Sequence, residues 1–197
     1  TVVVSASGFK AENIIFENSF NQYISKKESE DVVVEWTSGG KGLRPTNVGN
    51  TAVQNKSFVE RAAAIAITNN TDTVVLNNCR VIGRQDSFYG GTGVRVVVFK
   101  GALMGSTDFL FGPMTAVFYK TDLVMNTSEV NTDVCYITAA QQTSGRGDLM
   151  YECTITSAIP GAETASVYRS KPGYFGRPWA ASPPADRNPR GQARHRR

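Results

Sequence analysis

Histidine is nearly missing from this chain. Of 197 residues one is His, His195, the third from the end. Ser-His-Asp and Cys-His hydrolysis, and most zinc chemistry, need an imidazole held inside a fold. An enzyme built on this sequence would move protons with carboxylates, arginine, lysine or tyrosine. Cysteine is scarce too. Cys79, Cys135 and Cys153 lack the CxxC or Cys/His spacing of a metal site. They read as small core residues, with one disulfide left open. No apolar run approaches the ~18 residues of a membrane span, and no membrane partner is expected. Nor is there a signal-peptide pattern, but a chain that opens on Thr1 reads as a piece of a longer one, so that absence has no weight.

Basic charge is confined to one end. The net charge is +4, and the stretch "DRNPRGQARHRR" holds five Arg and one Asp, which leaves residues 1–185 neutral. Residues 181–197 read as a disordered Pro/Arg-rich tail. A nucleic-acid partner is therefore not expected, despite the basic balance.

Helical periodicity is also hard to find, while Val, Ile, Thr and Phe are plentiful in a chain that is 41% hydrophobic. This suits one β-rich domain with a substantial core. Short strand-like runs resemble one another: "NIIFENSF", "TVVLNNCRVIG", "VVVFKGALMG", "TAVFYKTDLVM" and "DLMYECTITS". Aligned on Phe16, Leu76, Phe99, Tyr119 and Tyr151, their central spacings are 23 and 20 residues. The wider gaps leave room for inserted loops and for an extra coil around "AAAIAITNN". A period of this size, made of strands and turns, marks a stacked solenoid. The Leu/Asn consensus of leucine-rich repeats is missing, so a right-handed parallel β-helix fits best, with a β-sandwich of coincidental spacing as the alternative. Residues 37–57 and 126–133 read as loops, either lining a groove or decorating the surface.

Within that repeat, "CRVIGRQDSFYGG" and "GSTDFLFG" place two carboxylates at nearly one phase. Asp86 lies ten residues after Leu76, and Asp108 nine after Phe99. Rungs stack ~4.8 Å apart, so the two side chains could meet on one face. Like charges at that range resist joint ionisation, and such a pair supplies an acid and a nucleophile or base. Phe88, Tyr89, Phe109 and Phe111 flank the pair and could dry it. From spacing alone, Asp86 and Asp108 serve equally well as turn residues.

These motifs resemble those of the pectin methylesterases. "GRQDSFYG" is similar to the family's GYQDTLY-type signature, "GSTDFLFG" to GTVDFIFG, "YITAAQQTSGR" to TAQGR and "YFGRPW" to YLGRPW. All four stand in family order, after a coil-like "GFKAENIIFENSF", and the resemblance covers roughly residues 1–180. It implies a right-handed parallel β-helix, lacking some N- and C-terminal coils, that removes methyl esters from pectin and releases methanol. Asp108 would be the nucleophile and Asp86 the general acid/base. Gln85 would donate to the oxyanion, Arg177 would hold and orient Asp108, and Trp179 would pack on the sugar. Tyr89 and Phe109 are further candidates for the substrate-binding wall, with core packing as the alternative; Trp36 matches no motif and reads as core. No cofactor or metal is implied. A secreted, extracellular or periplasmic monomer acting on methyl-esterified polygalacturonate is expected.

The chain departs from the family at one site position. Where a QAVAL-type stretch supplies a second oxyanion-donating Gln, "ERAAAIAI" supplies Arg61. Arg61 is a substrate-binding candidate by charge and hydrogen bonding, or else an outward partner of Glu60. Two other functions stay open: a pectin-binding β-helix without turnover, and another pectin-active β-helix enzyme. A polygalacturonase would not call for these motifs together, and a pectate lyase would need a calcium-binding carboxylate cluster that is not seen.

Overall fold

The computed structural model describes residues 1–20, 26, 48, 59, 61–128, 130 and 132–177. Sixteen short strands wind through them as successive coils of three. The first coil is β1 (Val2–Val4), β2 (Lys10–Glu12) and β3 (Ile15–Glu17). The second is β4 (Ile65–Ile67), β5 (Val74–Asn77) and β6 (Arg80–Ile82). The third is β7 (Phe88–Gly90), β8 (Arg95–Phe99) and β9 (Ala102–Gly105). The fourth is β10 (Thr107–Gly112), β11 (Thr115–Tyr119) and β12 (Asp122–Asn126). The fifth is β13 (Cys135–Ala140), β14 (Asp148–Tyr151) and β15 (Thr154–Ala158), and β16 (Gly173–Gly176) begins a sixth.

Each inner strand pairs with its counterparts one coil before and one coil after, always parallel. Three sheets result, in the orders β1-β4-β7-β10-β13-β16, β2-β5-β8-β11-β14 and β3-β6-β9-β12-β15. This is a three-sided right-handed parallel β-helix, the hand that parallel crossovers take. A sandwich is excluded, since antiparallel pairs are absent among the described strands.

Side-chain period explains the strands and backbone chemistry explains their ends. Alternate residues point inward, and register repeats the same inward position in every coil. Phe16, Val81, Leu103 and Leu123 form one such column, and Leu76, Val98 and Phe118 another. All are buried, and full burial of each such side chain contributes about 1.5–3 kcal/mol. The corner between the second and third sheets is turned by one residue in left-handed backbone: Asn13, Asn78, Lys100, Lys120 and Glu152, with φ between 50° and 58°. Asn adopts that region readily, and Asn78 Nδ2 donates to Asn13 Oδ1 at 2.7 Å, tying two corners together.

The register refines the sequence alignment. Phe99, Tyr119 and Tyr151 do share a column, with ring centroids 5.3 and 5.5 Å apart. Leu76 is one residue out, because it pairs with Val98. Phe16 belongs to the third sheet, opposite Val81. "AAAIAITNN" is no extra coil either: Ile65–Ile67 pairs directly with β1 on one side and β7 on the other. Cys79 and Cys135 are buried and Cys153 partly so, all as free thiols, so the disulfide left open by sequence is not formed. Most of residues 37–57, Trp36 and the 181–197 tail lie outside the described residues. The 126–133 loop starts in the interior, with Asn126, Thr127 and Ser128 fully buried. Arg169 pins it by donating to the carbonyls of Ser128, Val130 and Asp133.

Candidate active site

The turn between β6 and β7 carries "GRQDS". Its anchor is Arg84, 1% exposed, whose Nη1 donates to Asn126 O at 3.1 Å and Asn126 Oδ1 at 2.8 Å. Burial lowers the pKa of this guanidinium to about 10. Ser87 Oγ closes the turn on Arg84 O, and the Asp86 N–H donates to Thr107 O of the next coil. One coil on, β10 carries Asp108 inside a register shift between Thr107 and Leu110. Leu110 pairs with Phe88 and Phe111 with Tyr89. Asp86 and Asp108 each stand two residues before those first partners, so they hold equivalent steps of adjacent coils. Both also adopt left-handed backbone, with φ of 61° and 52°. A non-glycine residue there costs about 1–2 kcal/mol, and such outliers cluster where the surroundings over-determine a functional geometry.

The two carboxylates open on one shallow pocket of about 200 Å³, lined by Arg61, Asp86, Asp108, Phe111 and Ala139. Their partners differ. Arg177, just after β16, grips Asp108 with both edges: Nε to Oδ1 at 2.8 Å and Nη2 to Oδ2 at 2.5 Å. The guanidinium lies over the Tyr136 ring at 4.8 Å from its centroid, and Tyr136 stacks on Tyr174. This fork geometry, backed by an aromatic face, fixes both carboxylate oxygens. The hydrogen bond to Asp108 raises the Arg177 pKa.

Asp86 has a looser partner. Arg61 Nε stands 3.6 Å from Asp86 Oδ2, and the arginine side chain is half exposed. Burial pushes the Asp86 pKa up to about 7, with Arg61 lowering it, the Asp108 charge raising it, and Arg177 and the Gln85 amide lowering it. Gln85 is buried beside it and accepts the Val59 N–H on Oε1 at 3.0 Å. With that oxygen engaged, the amide NH₂ is the end that faces the site, where it hydrogen-bonds Asp86. The pocket therefore holds two carboxyls with unlike partners, one gripped by a bidentate arginine and one pushed up by burial to about 7. Among the described residues, no three His, Cys, Asp or Glu side chains group as metal ligands.

The structure brings together Asp86, Asp108, Arg177 and Arg61, with Gln85 alongside. Trp179 lies outside the described residues, and so does Glu60. Phe109 requires correction. It is 1% exposed and packs in the main core cluster, so its ring cannot reach a substrate. The bulge in β10 turns it inward, and Phe111 takes the pocket wall instead. Tyr89 is half-buried and packs on Phe111 with ring centroids 5.0 Å apart, extending that wall by one coil. Sequence reasoning missed Arg84 as the anchor of the turn and Tyr136 as the plate under Arg177. The pairing of "CYIT" with "GYFG", one Tyr in each, was the available signal for Tyr136.

A parallel β-helix with a buried, arginine-clamped aspartate pair defines a class of protein, and comparison gives the family. The pectinesterase family model matches residues 38–182, more than half of the chain. The chain belongs to the pectinesterase family. It is 32% identical over 124 residues to the pectinesterase of Ralstonia solanacearum, covering 60% of this chain and 23% of that one. The pectin methylesterase of Yersinia enterocolitica shares the fold, with a TM-score of 0.63 and 24% identity over 91% of this chain and 48% of that chain. A pectin methylesterase mutant solved in complex with a hexasaccharide does so too, with a TM-score of 0.63 and 23% identity over 91% and 46% of the two chains. The chain spans 25%, 27% and 23% of the length of three curated relatives that it matches, and under half of the solved chains. The first coil, residues 1–17, precedes the matched span yet stacks in register with the second.

Proposed function

We propose that this chain carries the catalytic coils of a pectin methylesterase: it hydrolyses methyl esters of polygalacturonate and releases methanol. One observation carries the reading, namely the unequal pair in which Asp108 is clamped by Arg177 while Asp86 is held near neutrality with a pKa of about 7. Asp108 is the nucleophile. One of its oxygens attacks the ester carbonyl carbon, and the Gln85 NH₂ donates to the oxygen on which charge develops. The carbon–methoxy bond then breaks as protonated Asp86 gives its proton to the leaving methoxide, forming methanol. The product is an acyl-enzyme anhydride on Asp108. Asp86, now a carboxylate, takes a proton from water, whose oxygen attacks the acyl carbon and frees Asp108. Asp86 ends protonated, ready for the next cycle. Phe111 and Tyr89 wall the pocket, and Trp179 offers its flat face to a pyranose ring. The hexasaccharide bound by a solved relative supports a polymeric sugar as substrate. A polymeric sugar substrate is in keeping with action outside the cytoplasm, and a monomer is the proposed state.

A second reading is pectin binding without turnover. It draws on the position of Arg177, which follows β16, the edge strand of the first sheet. Among the described residues, the clamp on Asp108 thus depends on a strand paired on one side. Incubation with highly methylated pectin, assayed for methanol, new reducing ends and unsaturated product, separates the readings. Methanol alone, lost by at least about 10³-fold in Asp108→Ala, is the expected result. Reducing ends without methanol would overturn the esterase, and retained binding with no product favours the second reading.

A further inference from the structure

The residue that departs from the family pattern, Arg61, stands beside the second carboxylate with its side chain half exposed. Its segment runs beside the site turn: the Ala62 N–H donates to Gln85 O at 3.3 Å and the Ala64 N–H to Ser87 O at 2.8 Å. These bonds bracket Asp86 and bring the Arg61 guanidinium to 3.6 Å from Oδ2. That distance is too long for a strong hydrogen bond, but it is well within the range at which a cation favours a carboxylate.

We infer that Arg61 is a positioning residue that acts through Asp86: it sets how readily that carboxyl gives up and regains its proton. Among the described residues, the charged groups around Asp86 are few. Asp108 faces it from β10, Arg177 from the end of β16, and Arg61 from the segment before β4, with the neutral Gln85 amide beside it. Arg177 is committed to Asp108 through both of its edges. Arg61 is the cation nearest to being Asp86's own. Without it, the pocket would hold two carboxyls against one arginine, and the proton on Asp86 would be held more tightly. In the esterase cycle that proton leaves Asp86 for methoxide in the first half, and Asp86 must still be a carboxylate when water attacks in the second. Arg61 therefore favours turnover at the lower end of the pH range and brings the alkaline limit of activity down. Its half-exposed side chain makes the effect moderate, because solvent screens it. A neutral glutamine at this position would lack it altogether.

The kinetic part of this inference rests on the esterase reading, but the ion pair has a readout of its own. Titrating the Asp86 carboxyl by ¹³C NMR in the full chain, wild type against Arg61→Gln and Arg61→Lys, tests it without turnover. The midpoint is expected to rise by about one pH unit in Arg61→Gln and to stay near wild type in Arg61→Lys. The alkaline limb of kcat/KM for methanol release is expected to move by the same amount and in the same direction. A midpoint unmoved in Arg61→Gln, or moved equally in Arg61→Lys, overturns the inference. A wild-type chain that releases no methanol would sink the esterase reading instead, and the NMR titration would still decide the role of Arg61.

Discussion

Asp86 and Asp108 occupy the same step of adjacent coils and share the same unusual backbone, yet they sit in different electrostatic worlds. Asp108 meets a bidentate arginine at 2.5 and 2.8 Å, itself backed by an aromatic ring. Asp86 meets an arginine at 3.6 Å whose side chain is half in solvent. The first geometry fixes a carboxylate in place. The second leaves burial as the dominant influence, so the carboxyl titrates near neutrality. A solenoid makes equivalent positions cheaply, because each coil repeats the last. Function here comes from breaking that equivalence with partners drawn from other coils: Arg177 from beyond β16, Arg61 from before β4. The repeat supplies the proximity, and the departures from it supply the chemistry.

The comparison can be broken most strongly at Asp86. Asp86→Asn removes the proton that methoxide must take, and methanol release is expected to fall by about 10²–10⁴-fold, with Asp108 and its clamp intact. The same variant has a signature in stability. The folded Asp86 pKa lies above its ordinary value, so between about pH 4 and pH 7 the folded chain holds a proton that the unfolded chain has released. Stability therefore declines as pH rises through that window, on the order of a few kcal/mol in all. In Asp86→Asn that decline is expected to flatten, measured by urea unfolding at several pH values. Part of the slope should survive, because burial also raises Asp148, to about 6. A decline unchanged by the substitution would mean that Asp86 titrates normally.

A smaller effect is expected on the other side of the comparison. Arg177→Lys keeps the charge near Asp108 but loses the fork and the stacking on Tyr136. The expected loss in kcat is about 10–10²-fold, with the Asp86 limb of the pH profile little moved. If the variant shifted that limb as far as Arg61→Gln, the division of labour between the two arginines would be wrong.

Much of this was legible in the sequence because a β-helix writes its register as a repeat. The column Phe99, Tyr119, Tyr151 follows from spacing alone, and the nearly equal phase of Asp86 and Asp108 pointed to the pair. Correcting the register by one residue, from Leu76 to Asn77 opposite Phe99, makes that phase the same in both coils. What was not legible lay where the repeat is interrupted. The bulge between Thr107 and Leu110 reverses which face Phe109 takes, and a strict period of two cannot anticipate it. Arg84 looked like one more polar residue of a turn; its burial depends on Asn126, 42 residues on, at the far end of the fourth coil. Nothing local in "ERAAAIAI" says that Arg61 runs beside the Gln85–Ser87 turn, and its pairing with Glu60 lies outside the described residues.

The central claim is that two equivalent aspartates are set apart by unlike partners, Asp108 by the Arg177 clamp and Asp86 by burial that raises its pKa. The most direct test is a ¹³C NMR titration of the aspartate carboxyls in the full chain, with the Asp86 resonance assigned by its loss in Asp86→Asn. The account requires an Asp86 midpoint near 7. A midpoint close to 4, the ordinary aspartate value, would contradict it.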